Sequence, residues 1–152
     1  MWREYNQTVS YAYTYQQMIT KAGGIVANDH IAFRSLRLDI QTAQGKVNLG
    51  IEYLQASANF LEYEIAGKYF FPDIHLYARD YRHPQHEKWN LPKLFISELI
   101  VEELPPSTQD LIQESVSNFT PNYSIANNNG SPHETALKLQ SIFTRPWQPP
   151  RY

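Results

Sequence analysis

Apolar and polar positions change period several times along this chain, and the changes divide it into elements. Tyr11, Ala12, Tyr15, Met18, Ile19 and Ala22 recur at helical spacing. That predicts a helix over 10–22, capped by Ser10 and stopped by Gly23-Gly24. Residues 24–38 are rich in β-branched and aromatic side chains, the composition of a strand. Residues 46–56 have mixed spacing and fit a short helix. Residues 60–64 and 69–78 are strand-like, with Ala66-Gly67-Lys68 as the turn between them. Pro72 makes the second of these an edge strand or delays its start. Residues 80–90 read as a polar loop broken at His83-Pro84, and residues 94–104 as a second strong strand. Pro105-Pro106 end it, and Ser107 can cap a helix over 109–119. After an Asn-rich loop over 121–130, Ser131-Pro132-His133-Glu134 forms a capping box with proline at the first helical position. A last helix then runs to about Phe143, and the proline-rich tail 145–152 suits neither helix nor strand interior.

The order after the first helix is strand, helix, then about three strands. This predicts an α+β fold: a mixed β-sheet with flanking helices, built as one βαβββ module. With 152 residues, 42% hydrophobic and 14% aromatic, the chain can form one domain with a real core. A net charge of -2 gives no electrostatic reason to expect nucleic acid or an anionic membrane as partner. The absence of cysteine excludes disulfides, thiolate nucleophiles and cysteine-ligated metals, and is compatible with a reducing compartment. Met1-Trp2-Arg3-Glu4-Tyr5 lacks the apolar core of a secretory signal. No apolar run approaches the roughly 20 residues that span a bilayer. The expectation is a soluble cytoplasmic domain whose partners are small molecules.

Chemistry concentrates in the segment Asn28-Asp-His-Ile-Ala-Phe-Arg-Ser-Leu36. In a strand, residues two apart share a face. Ile31 and Phe33 therefore point to the core, while His30, Ala32 and Arg34 point the other way. The Cα atoms of His30 and Arg34 would lie ~13 Å apart. Two long side chains converging over Ala32 leave room for a small molecule, chelated to a metal at the His30 end and gripped by a carboxylate in the Arg34 fork. The other reading is a hydrogen-bonded core histidine and an arginine reaching past the sheet edge. Glu98 interrupts an apolar strand on the face of Ile96 and Ile100. It faces solvent or has a partner, for which a metal or Arg34 would serve. His83 and His86 stand three apart in the polar loop, His75 near an edge strand, and His133 in a first helical turn, all weaker metal candidates.

The stretches GGIVANDHIAFRSL, FPDIHLYARDYRHP, NLPKLFISELIVEELP and TRPWQPP resemble the N-terminal half of the 2-oxoadipate dioxygenase/decarboxylase family, from Trp2 to the last residues. The resemblance implies a vicinal-oxygen-chelate-like fold. It implies a non-haem Fe(II) held by two histidines and one glutamate. It implies O2-dependent conversion of a 2-oxo dicarboxylic acid to a 2-hydroxy acid with loss of CO2. His30 matches the family's first metal histidine and Arg34 its substrate-carboxylate arginine. The second histidine and the glutamate come after the Arg-Pro-Trp region, in a second βαβββ module, and have no counterpart before Tyr152.

Residues 1–152 are therefore expected to be a single domain, the N-terminal half of a two-module fold. The missing ligands would come from another half-chain or from a homodimer in which two His30 and two Glu98 meet at one metal. The alternative is an inactive remnant or a dicarboxylate-binding module without iron.

Overall fold

The computed structural model describes residues 6–7, 9–26, 29–43, 45–117, 119 and 131–143. Helix α1 spans Ser10–Lys21, close to expectation, although Val9 rather than Ser10 is its N-cap. Strands follow at β1 (His30–Arg37), β2 (Asp39–Thr42) and β3 (Gly45–Asn48). Helix α2 (Ile51–Phe60) leads to β4 (Glu64–Phe71), β5 (Leu76–Arg82), a short helix α3 (His86–Trp89) and β6 (Lys93–Ile100). Helices α4 (Pro106–Val116) and α5 (Pro132–Phe143) complete the described chain.

Four strands form one sheet in the order β1-β6-β5-β4, with β1 parallel to β6 and the other pairs antiparallel. The expected βαβββ order is present as β1, α2, β4, β5 and β6, with the β2–β3 hairpin inserted after the first strand. The strand that returns through the helix is β4, at the far edge of the sheet, and two antiparallel steps, β4 to β5 and β5 to β6, then bring β6 back parallel to β1. Helix α2 covers one face of the sheet. Its Ile51, Tyr53, Leu54 and Ala58 pack with Tyr81, Leu94 and Ile96, and Ile31 and Phe33 of β1 join this core.

Three expected elements are displaced. The helix expected over 46–56 begins only at Ile51, because Gly45–Asn48 pairs with β2. The turn expected at 66–68 lies inside β4, where Gly67 follows a register shift. The chain reverses instead at the 3-10 turn Pro72–Ile74, closed by His75 in the left-handed region. The loop expected over 80–90 is strand to Arg82 and then α3. The capping box forms as expected. Ser131 N donates to Glu134 Oε2 at 2.7 Å, and Glu134 N donates to Ser131 Oγ at 3.3 Å. The Asn-rich loop and the tail lie outside the described residues.

Candidate functional site

Register decides which side chains meet. Along the β1–β6 pair, His30 stands beside Lys93, Ala32 beside Phe95, Arg34 beside Ser97 and Ser35 beside Glu98. Paired residues share a face. His30, Ala32 and Arg34 therefore share the face away from α2, with Phe95 and Ser97. Glu98 points to the opposite face, toward the helix.

The open face has a floor of small residues. Arg34, Ser97, Ala78 and Tyr69 form one rank across the four strands, and Ala32, Phe95, Asp80 and Gly67 form the next. Aromatic rings stand on this floor. Phe95 contacts His30 edge-on at 6.1 Å and Tyr69 at 6.0 Å, and Tyr69 stacks with Phe71.

His30 is exposed, which removes the core-histidine reading. Its Nδ1 lies 3.0 Å from Asp29 Oδ2. Because a carboxylate only accepts, Nδ1 is the donor of this contact, and in the neutral ring Nε2 is the nitrogen with the lone pair. The hydrogen bond from His30, followed by that from Lys93 Nζ at 3.1 Å, holds the Asp29 carboxyl below the usual aspartate range. Arg34 is also exposed, and no hydrogen bond or ion pair engages it among the described residues.

Glu98 overturns the expectation attached to it. It is buried, and its partner is neither solvent nor Arg34. Arg37 is its partner: Nε donates to Oε1 at 2.7 Å, and Nη2 lies 2.7 Å from the same oxygen. Ile51 N donates to Oε2 at 2.7 Å. The carboxylate thereby caps α2, whose own cap residue, Gly50, has no side chain to do so. A symmetric pair placing His30 and Glu98 at one metal is incompatible with their opposite directions. On this same covered face, Arg79 Nη1 donates to Gln55 Oε1 at 2.6 Å and Tyr81 Oη to the same oxygen at 3.0 Å. Burial pushes the Tyr81 phenol up.

The other histidines have structural partners. His83 is buried rather than solvated: its Nδ1 accepts from Gln85 N at 3.0 Å, and Tyr63 and Trp89 flank the ring. His86 Nδ1 meets the His83 carbonyl at 2.9 Å, and His75 Nδ1 meets Glu103 Oε2 at 2.9 Å. His133 is exposed on α5. A site with two histidines and a carboxylate needs three protein ligands. Among the described residues no three His, Asp or Glu side chains come together in that way. They do not make an iron site alone; His30 fits as one ligand.

No protein-family model matches the chain. A rice protein (Oryza sativa subsp. japonica), the chloroplastic/amyloplastic 2-oxoadipate dioxygenase/decarboxylase, is 28% identical over 137 residues. The chain resembles the 2-oxoadipate dioxygenase/decarboxylases. The match covers 86% of this chain and 33% of the rice protein, so the chain spans about a third of that relative. The crystal structure of the rice hydroxyglutarate synthase in complex with 2-oxoadipate superposes with a TM-score of 0.66 at 24% identity, over 97% of this chain and 44% of that one. A glyoxalase superfamily protein from Ralstonia eutropha superposes at 0.69 and 20% identity, over 91% and 40%. The fold is thus a mixed sheet with flanking helices of the vicinal-oxygen-chelate type. Among the described residues no helix is long and apolar enough to cross a membrane.

Sequence reasoning paired His30 with Arg34 but missed Asp29, Tyr69 and Asp80. Residues 76–82 carry no clean alternation, since Leu76, Tyr77 and Ala78 are all apolar and Arg79 and Asp80 both polar, so the place of Asp80 is set by the register of β5 with β4 and β6.

Proposed function

We propose that this chain is one module of an Fe(II)-dependent dioxygenase/decarboxylase that converts a 2-oxo dicarboxylic acid of the 2-oxoadipate type to a 2-hydroxy acid. His30 serves as one metal ligand and Arg34 as the clamp on the substrate's distal carboxylate. One observation carries this reading. The free Nε2 of His30 and the unengaged guanidinium of Arg34 share an open face, above a floor of Ala32, Ser97 and Ala78. The rice relatives' names support the substrate class.

Bound iron would supply the site for O2 and for the 2-oxo acid group. The chain's own residues do the rest. Asp29 fixes the ring orientation of His30. Arg34 pairs with a carboxylate through two parallel N–H bonds, which sets the direction of the acid across the sheet. The remaining metal ligands come from a second module, on another part of a longer chain or on a partner.

The absence of a three-ligand cluster among the described residues favours a second reading, a dicarboxylate-binding module without iron. Titration calorimetry with 2-oxoadipate, with and without Fe(II) and under anaerobic conditions, separates the two. The proposal expects binding that Fe(II) strengthens through His30 and that Arg34→Gln weakens by about 10- to 100-fold. Binding indifferent to Fe(II) and to His30→Ala supports the iron-free module. Binding unaffected by Arg34→Gln removes both.

A further inference from the structure

Asp80 is the polar group that the structure leaves unexplained. It sits on the open face, beside Phe95 on one side and Gly67 on the other. Its side chain is only 14% exposed. Oδ2 has a distant partner, Arg82 Nε at 3.8 Å, while Oδ1 is buried with no hydrogen-bond partner among the described residues. An orphaned carboxylate oxygen under an apolar surface is costly, so its retention calls for a donor to come.

Gly67 brings a second polar group close to that oxygen. A Cβ built on Gly67 would stand 2.6 Å from Asp80 Oδ1 and 2.6 Å from Tyr69 Oη. The missing side chain thus keeps an acceptor and a phenol close together on one patch of the sheet. A carboxylate accepts only, whereas a phenol also donates. The chemical group that satisfies both at once is a hydroxyl, which donates to the carboxylate and accepts from the phenol. The patch also lies within reach of Arg34. Tyr69 stands in the same rank as Arg34, with only Ser97 and Ala78 between them. Their Cα atoms are three strand spacings apart, ~14 Å, which two long side chains reduce to the span of a short dicarboxylic acid.

We infer that Asp80 and Tyr69 form a hydroxyl-recognition subsite, so that this face selects a hydroxylated short-chain dicarboxylic acid, such as the 2-hydroxy acid product class, over its deoxy analogue. This inference rests on the proposed role of Arg34 as carboxylate clamp and adds a second anchor to it. Closing the subsite takes a rotation of Tyr69, which is 43% exposed, against its stack on Phe71.

Calorimetric titration of the full chain with glutarate and with each enantiomer of 2-hydroxyglutarate tests the idea. The expected result is that one enantiomer binds at least about 10-fold more tightly than glutarate, the scale of one hydrogen bond to a charged group. Asp80→Ala and Tyr69→Phe should each erase that preference while leaving glutarate affinity within about 2-fold. Tyr69→Phe keeps the ring and its packing, so it remains informative if Asp80→Ala fails to fold. Equal binding of the hydroxy and deoxy acids, or a preference that survives both substitutions, overturns the subsite but spares the clamp, provided glutarate binding still depends on Arg34. Failure of all three acids to bind overturns the clamp and the subsite together.

Discussion

The two faces of the four-stranded sheet are built from alternate residues of the same strands, yet they treat polar groups in opposite ways. On the face under α2, each carboxylate and guanidinium has a partner. Glu98 meets Arg37 and the Ile51 amide, and Arg79 meets Gln55. On the open face, Arg34, the Nε2 of His30 and the Oδ1 of Asp80 have no partner among the described residues. A buried polar group paired within the fold contributes to stability, whereas an exposed one without a protein partner exchanges only water for a ligand. The contrast separates scaffold from site more cleanly than residue type does, since both faces carry arginine and carboxylate.

The largest expected effect breaks the covered face. Glu98→Ala strips Arg37 of its counter-ion and α2 of its cap, and should cost ~2–3 kcal/mol in chemical denaturation. An unchanged midpoint would show that the pair is not structural. The mirror experiment is Arg34→Gln on the open face. Its stability should change by less than ~0.5 kcal/mol. Its affinity for 2-oxoadipate should fall by about 10- to 100-fold, since a bond to a charged partner is lost. A substitution that destabilises without touching affinity would erase the distinction between the faces. Gly67→Ala tests the boundary between them. The added methyl meets Asp80 Oδ1 and Tyr69 Oη, and should cost about 1 kcal/mol in thermal denaturation while disturbing only the open face.

The smallest effect concerns pH. The Asp29 carboxyl is held below its ordinary value, by the hydrogen bond from His30 first and by Lys93 second. A carboxylate depressed in the folded state contributes stability above its unfolded value, and that contribution disappears as pH falls through the folded one. The expected result is a carbonyl-carbon NMR titration of Asp29 with a midpoint below that of an unstructured aspartate, shifting upward in His30→Ala. A midpoint at the ordinary value would mean that His30 is not held by this contact.

How much of this was legible beforehand depended on the range of the interaction. The alternation of His30, Ala32 and Arg34 against Ile31 and Phe33 is local, and it places the open-face pair correctly. The capping box is equally local, and its hydrogen bonds form as read. Glu98 was misjudged because its partner is decided by register between β1 and β6, 61 residues apart in sequence, and nothing near Glu98 distinguishes Arg34 from Arg37. Gly67 was misread for a related reason. Glycine signals a turn when only its neighbours are visible, whereas here it makes room for Asp80 on the adjacent strand. His83 reads as part of a polar loop because its companions in sequence are polar, while its companions in space are Tyr63 and Trp89.

The remote cap on α2 has a kinetic consequence. Gly50 offers the helix no local acceptor, and the carboxylate that fills the role arrives 47 residues later on the last strand of the sheet. The start of α2 therefore remains frayed until β6 has docked beside β1, a long-range closure of the kind that slows folding. If that docking belongs to the rate-limiting step, weakening Glu98 lowers the refolding rate more than it raises the unfolding rate. In such a chain the helix registers the completion of the sheet rather than nucleating it.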